Sequence, residues 1–64
     1  MPTIRVEMFE GRTEEQKRAY VKALTKVTTQ ILGGSPDSVD ILFYEVPARH
    51  WATGGELWSD KQKK

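Results

Sequence analysis

The chain begins with a regular alternation of apolar and polar residues. Over residues 3–9 every second side chain is apolar, namely Ile4, Val6 and Met8. This period of two predicts a β-strand with one buried face. Residues 10–12 follow as a turn and separate the strand from the next periodic segment.

A pattern typical of an amphipathic helix then runs to about Leu32. Thr13 and Gln16 have the spacing of a capping box at its start. Gly33 and Gly34 end the helix, because glycine readily takes the left-handed conformation common at this point. The apolar side chains recur at spacings of four, three and four and predict one stripe: Tyr20, Leu24, Val27 and Ile31, widened by Ala23.

The second predicted strand, residues 39–46, is apolar on both of its faces. Ser35 and Pro36 precede it and predict one short helical turn, with Ser35 as the cap. Near-continuous apolar character is typical of a parallel strand that is covered on each side. The helix of this chain covers one side only, so we expect another subunit to cover the other. The two sets of apolar side chains are Val39, Ile41 and Phe43, and Leu42 and Tyr44.

The end of the chain predicts a small hairpin. Gly54 and Gly55 stand between aromatic and apolar residues as a turn, and residues 60–64 are polar and expected to fray. Strand, helix and strand form a βαβ unit, expected to be right-handed. The predicted fold is therefore α/β (α+β): a single βαβ unit with parallel strands plus a short C-terminal β-hairpin, in one domain over residues 1–64.

Length and composition then limit the possible functions. A chain of 64 residues buries only about 60% of its unfolded surface, so its core is marginal. Small domains compensate with disulfides, a metal or oligomerisation. The chain has no cysteine and one histidine, which excludes disulfides and a cysteine nucleophile and predicts no metal site. We therefore expect a homo-oligomer.

Charge and hydropathy argue against two further kinds of partner, nucleic acids and membranes. The net charge of +1 is far from the strongly basic balance of a dedicated nucleic-acid-binding domain. No window approaches the 18 or more apolar residues of a membrane span. No signal peptide is visible, so the expected location is the cytoplasm.

Two residues near the start of the chain are candidates for chemistry. Pro2 is either a rigid residue at a strand start or, once Met1 is removed, a free secondary amine. Such an amine is a useful general base only if burial or nearby positive charge lowers its pKa toward neutrality. Arg12 is either a solvated surface charge or a bidentate ligand for a substrate carboxylate.

These residues occur together in a recognisable combination. Pro2, the run EGRTEEQK over residues 10–17 and the segment from Trp51 to Gly55 closely resemble the 4-oxalocrotonate tautomerase family. The resemblance covers residues 2 to about 60. It implies short βαβ chains that assemble as dimers and commonly as hexamers. It also implies an isomerase that transfers a proton without a cofactor.

The resemblance assigns roles to individual residues. The nitrogen of processed Pro2 would take a proton from the hydroxyl of a small 2-hydroxy-dienoate or enol-pyruvate acid and return it to carbon, giving a keto acid. Arg12, from a neighbouring subunit, would bind a substrate carboxylate. Trp51 stands where the family has an aromatic wall, although a structural tryptophan in a subunit interface is an equal alternative. The implied role is in aromatic catabolism.

One position departs from the family pattern. Family members active on dicarboxylates carry a second arginine at the start of the second strand, and Asp40 stands there in this chain. A carboxylate repels a substrate carboxylate, which weakens the expectation that 2-hydroxymuconate is the substrate. Arg5 and Arg49 are the candidate replacements, whereas His50 is expected to be a surface or hydrogen-bonding residue.

Two alternatives stay open. One is a hydratase or dehalogenase related to the family, in which Asp40 or Glu56 would activate water. The other is a non-enzymatic oligomeric binding protein, which retention of Met1 would favour because acylation abolishes the basicity of the proline nitrogen.

Overall fold

A computed structural model describes residues 2–61. β1 and β2 pair in parallel, and β3 and β4 pair antiparallel, so the predicted βαβ unit and hairpin are both confirmed. No helix among the described residues is long and apolar enough to span a bilayer. The elements are β1 (Thr3–Phe9), α1 (Glu14–Leu32), a 3-10 turn (Pro36–Ser38), β2 (Asp40–Val46), a second 3-10 turn (Ala48–His50), β3 (Ala52–Thr53), β4 (Glu56–Leu57) and α2 (Trp58–Lys61).

Both ends of α1 form as the sequence predicts. The backbone N–H of Gln16 donates to Thr13 Oγ1 over 3.1 Å, and the backbone N–H of Thr13 donates to Gln16 Oε1 over 2.9 Å. This capping box satisfies two of the amides that the first helical turn leaves unpaired. At the other end Gly33 has φ of +85°, which favours glycine, and its N–H donates to Thr29 O over 3.0 Å.

The parallel register of the sheet decides which side chains share a face. Thr3 pairs with Asp40, and the pairing runs without a bulge to Phe9 and Val46. One face, here called the inner face, is turned toward α1, and the Tyr20 and Phe43 rings approach there with centroids 6.2 Å apart. The opposite, outer face has no element of residues 2–61 packed over its centre, where Leu42, Tyr44, Arg5 and Glu7 lie.

Exposure supports the inference that one chain cannot complete a core. Leu42 is 43% exposed and Tyr44 is 45% exposed on the outer face. No side chain among residues 2–61 is fully buried. A domain of this kind leaves apolar surface in water at a cost of roughly 25 cal/mol per Å². The free energy of folding therefore depends on what covers these faces.

The stripe predicted on α1 is only partly covered within the chain. Leu24 is half-buried, whereas Tyr20, Val27 and Ile31 are 45%, 50% and 76% exposed. Val21 lies on the covered side instead. A two-stranded sheet covers a narrow arc of a helix, and the 19-residue α1, about 28 Å long, overhangs strands of about 23 Å.

Three smaller expectations need correction. β2 begins at Asp40, because Val39 closes the preceding 3-10 turn through its N–H to Pro36 O. Ser35 makes no side-chain cap, and the Ser38 hydroxyl instead donates to Ser35 O. The start of the predicted frayed tail, residues 60–61, belongs to α2. The rest of that tail lies outside the described residues.

We expect loss of the capping box to destabilise α1. Thr13→Ala should lower the free energy of unfolding by about 0.5–2 kcal/mol, because it leaves the Gln16 amide without its acceptor. Denaturant unfolding followed by far-UV circular dichroism at fixed protein concentration measures this. Thr13→Ser keeps the hydroxyl and is the control. Equal losses in both variants would contradict the assignment.

Candidate active site

Pro2 lies immediately before β1, next to the first residue of β2. Its carbonyl oxygen accepts a hydrogen bond from the Asp40 N–H over 3.0 Å, and its side chain is half-buried. Asp40 is exposed and pairs in register with Thr3. The strand pairing therefore holds a carboxylate residue beside the proline. Pro2 and Asp40 define what we call the base end of the sheet.

Arg12 lies beyond the opposite end of β1, in the loop that leads into α1. It lines a recess of about 330 Å³ between the inner face and the first turns of the helix. We call this the Arg12 recess. Its apolar walls are provided by Val6, Met8, Phe43 and Tyr20, and Gln16 and Lys17 complete it.

The second cation of the Arg12 recess is already paired. Lys17 Nζ donates to Glu45 Oε1 over 2.5 Å, with both side chains about a quarter to a third exposed. A partly exposed pair of this kind contributes on the order of 1 kcal/mol or less to stability. Arg12 makes no ion pair within residues 2–61. The recess therefore presents a single uncompensated positive charge against apolar walls.

The length of β1 keeps Pro2 and Arg12 apart. Seven strand residues at about 3.3 Å each separate the two ends by roughly 23 Å. A small carboxylate substrate cannot reach both residues of one chain. A site that uses both must draw them from two copies.

Trp51 belongs to the same end of the sheet as Arg12 but to a different surface. It packs against Phe9 with ring centroids 4.6 Å apart, and Trp58 approaches Phe9 at 5.6 Å. Trp58 Nε1–H donates to Thr53 Oγ1 over 2.9 Å, which ties the hairpin to this aromatic cluster. Within the described residues, Trp51 therefore packs against the end of β1.

The hairpin tryptophan also has an open side. A shallow recess beside Trp51 is lined by Glu7, Val46, His50 and Ala52. Glu7 and Val46 point to the outer face, whereas the Arg12 recess lies on the inner face. Within one chain, Trp51 and Arg12 are not brought into one pocket.

The two candidate replacements for the family's second arginine are not at the base end. The Arg5 guanidinium lies over the Tyr44 ring, 5.4 Å from its centroid. Tyr44 pairs with Glu7, further along the strand, so this contact draws the guanidinium away from Asp40. Arg49 is exposed in the 3-10 turn Ala48–His50, after the far end of β2.

Sequence reasoning missed the pairing of Lys17 with Glu45. A signal was available, because Glu45 follows Ile41 and Phe43 at the same alternating position and so falls on the inner face. A carboxylate on a face that packs against a helix indicates a cationic partner on that helix. The choice of Lys17 as the partner depends on how the helix lies across the sheet.

Comparison with known proteins agrees with this architecture. The family described as Tautomerase enzyme matches residues 2–61. The 2-hydroxymuconate tautomerase of Bacillus subtilis is 36% identical over 62 residues, which are 97% of this chain and all of that protein. A 4-oxalocrotonate tautomerase isozyme from Methylibium petroleiphilum has a TM-score of 0.91 at 37% identity, with 97% of each chain covered.

A second solved structure bears on assembly. It is the heterohexamer 4-oxalocrotonate tautomerase from Chloroflexus aurantiacus, with a TM-score of 0.85 at 32% identity, covering 94% of this chain and 97% of that one. With a family match over nearly the whole chain, this protein belongs to the tautomerase family. It is an isomerase of the 4-oxalocrotonate tautomerase type.

We expect the aromatic cluster to hold the hairpin in place. Trp51→Ala should lower the free energy of unfolding by about 1–3 kcal/mol, less than for a fully buried aromatic because Trp51 is half-buried. Trp51→Phe keeps a ring against Phe9 and should cost under about 1 kcal/mol. Denaturant unfolding monitored by circular dichroism compares them. An alanine variant as stable as the parent would show that the ring contact is not stabilising.

Proposed function

We propose that this protein is a cofactor-independent tautomerase that converts small 2-hydroxy-dienoate or enol-pyruvate acids into keto acids. Arg12 carries the proposal, since it is an uncompensated cation in an apolar recess and suits a small organic carboxylate. Membership of the tautomerase family gives the reaction class. Action in the cytoplasm and in the catabolism of aromatic compounds belongs to the same proposal.

The reaction needs one group that carries a proton and one that holds the substrate. The nitrogen of Pro2, freed by removal of Met1, takes the proton of the 2-hydroxyl. The enolate electrons move to carbon, and the same nitrogen returns the proton there, so no cofactor is consumed. Arg12 binds the carboxylate through two parallel N–H···O contacts and stabilises the charge that develops beside it.

The separation of Pro2 from Arg12 supports a site built between copies. The exposed apolar side chains on both layers, such as Leu42 on the sheet and Ile31 on the helix, provide surface for association. Covering these side chains in an interface buries the apolar surface that a single chain leaves in water. The proposed enzyme is therefore a homo-oligomer, from dimer to hexamer. Trp51 of a neighbouring copy would wall the pocket and keep water from the Pro2 amine.

One observation favours a second candidate reaction. Asp40 lies beside Pro2, and a carboxylate near the site can activate water for hydration or dehalogenation of a haloacrylate. Halide release from a 3-haloacrylate distinguishes this reaction from enol ketonisation. A purely structural oligomer would show neither activity.

Removal of the Pro2 base should reduce the rate by about 10²–10⁴-fold. Protein whose loss of Met1 is verified by mass is compared with Pro2→Ala in a ketonisation assay. Alanine leaves a primary amine, so chemical acylation of the processed parent is the more complete block. Circular dichroism and sedimentation control for folding and assembly. An unchanged rate after acylation would exclude the amine as the base.

Arg12→Ala should raise KM, lower kcat, or both, because the carboxylate loses its charged partner. The variant is then co-refolded with Pro2→Ala protein. If Pro2 and Arg12 come from different copies, random mixing rebuilds both groups in about a quarter of the sites, and activity partly returns.

The matched control is co-refolding of each variant with itself, which restores nothing. Absence of recovery in mixed oligomers, once their formation is verified by mass spectrometry, would contradict a shared site. Parental kinetics of Arg12→Ala would remove Arg12 from the site.

A further inference from the structure

We propose that the substrate carries a single carboxylate and an uncharged, apolar remainder, and that Asp40 is the residue that excludes dicarboxylates. The inference rests on the proposed function, since it concerns the substrate class of the same site. It follows from the distribution of charge between the two ends of the sheet.

The base end is acidic. The 3.0 Å hydrogen bond fixes the backbone of Asp40 beside Pro2, and the register with Thr3 places the Asp40 side chain on the outer face. Asp37 stands in the 3-10 turn that leads into β2. The last turn of α1 also lies at this end, and it has no basic residue. Its free carbonyl groups add partial negative charge.

The basic residues nearest to the base end are not paired with Asp40. Lys22 and Lys26 line a recess on the side of α1 together with Pro36, the residue before Asp37. Arg5 is stacked on Tyr44. Among residues 2–61, no side-chain hydrogen bond or ion pair offsets the Asp40 carboxylate.

The Arg12 recess contains one cation that is not ion-paired within residues 2–61, Arg12 itself. Lys17 is neutralised by Glu45, and the remaining walls are largely apolar. One carboxylate can be matched there by Arg12, and the body of the substrate then lies against hydrocarbon and aromatic rings. A second carboxylate directed toward Pro2 meets Asp40 instead of a partner.

The size of this discrimination follows from Coulomb repulsion. The backbones of Asp40 and Pro2 are about one strand spacing, roughly 5 Å, apart. We take roughly 7 Å as the separation between the Asp40 carboxylate and a second substrate carboxylate near the amine. At that distance, for effective dielectric constants between about 80 and 20, the repulsion corresponds to a factor of about 3 to 50 in kcat/KM. Asp40 is exposed, which favours the lower part of this range.

The test compares two enols with processed enzyme. 2-Hydroxymuconate is the dicarboxylate probe, and phenylenolpyruvate is the monocarboxylate probe with an apolar remainder. We expect the parent to favour phenylenolpyruvate in kcat/KM. Asp40→Asn should raise the ratio of kcat/KM for the dicarboxylate to kcat/KM for the monocarboxylate about 3- to 50-fold. The ratio is the readout because a change in the basicity of the Pro2 amine affects both substrates alike. Asp40→Arg should increase the dicarboxylate rate further.

Glu14→Gln is the matched control. It removes the same charge from a side chain that is 80% exposed and faces Arg18 on the surface of α1. The ratio of the two substrates should not change in this variant. In about 1 M salt the difference between parent and Asp40→Asn should shrink, because the Debye length falls to about 3 Å.

The outcomes separate the two proposals. Turnover of neither enol would overturn the proposed function itself. Turnover with a clear preference for the dicarboxylate, or a substrate ratio that Asp40→Asn does not change, would overturn only the inference about Asp40. Loss of dicarboxylate turnover in Arg49→Gln would also overturn it, because Arg49 would then supply the second cation.

Discussion

The parallel pairing of β1 with β2 is the constraint on which the rest of the structure depends. Parallel strands begin at the same edge and end at the same edge, so the start of the chain is placed beside Asp40. The loops that hold Arg12 and Trp51 both leave the opposite edge. The crossover helix that such a pairing requires also occupies one face only. Topology alone therefore places Pro2 at one edge and Arg12 and Trp51 at the other, and it leaves one face of the sheet uncovered by the described residues.

The proposed activity and the stability of the chain consequently depend on association with further copies. The chain exposes apolar side chains on both of its layers, and its Pro2 lies about 23 Å from Arg12. Association that covers Leu42 and Ile31 addresses the first deficit. Association that brings one copy's Pro2 to another copy's Arg12 addresses the second. In a chain of this size, the association that completes the core is therefore also the association that would complete the proposed site.

The sequence predicts local features well. The alternation around Val6 and the spacing of Thr13 and Gln16 depend on neighbouring residues, and both give the observed elements. Pro2 and Arg12 were singled out through their residue chemistry and family resemblance, and their roles remain proposals.

Features that depend on distant parts of the chain could not be predicted from the sequence in the same way. Which side of α1 is covered depends on the width of the sheet, and this left Val27 and Ile31 exposed. The partner of Lys17 depends on how the helix lies across β2, and the direction of the Arg5 side chain depends on the register that brings Tyr44 near it. None of these relations is encoded in a window of adjacent residues.

The aromatic cluster around Phe9 has a consequence for spectroscopy. The chain has two tryptophans, Trp51 and Trp58, and both belong to the hairpin region that rests on Phe9. Lys61 Nζ lies 4.5 Å from the centroid of the Trp58 ring, so this indole also senses a nearby charge. Tryptophan fluorescence of the protein therefore reports on a single contact, the packing of the hairpin against β1. The βαβ unit itself contributes only tyrosine and phenylalanine emission.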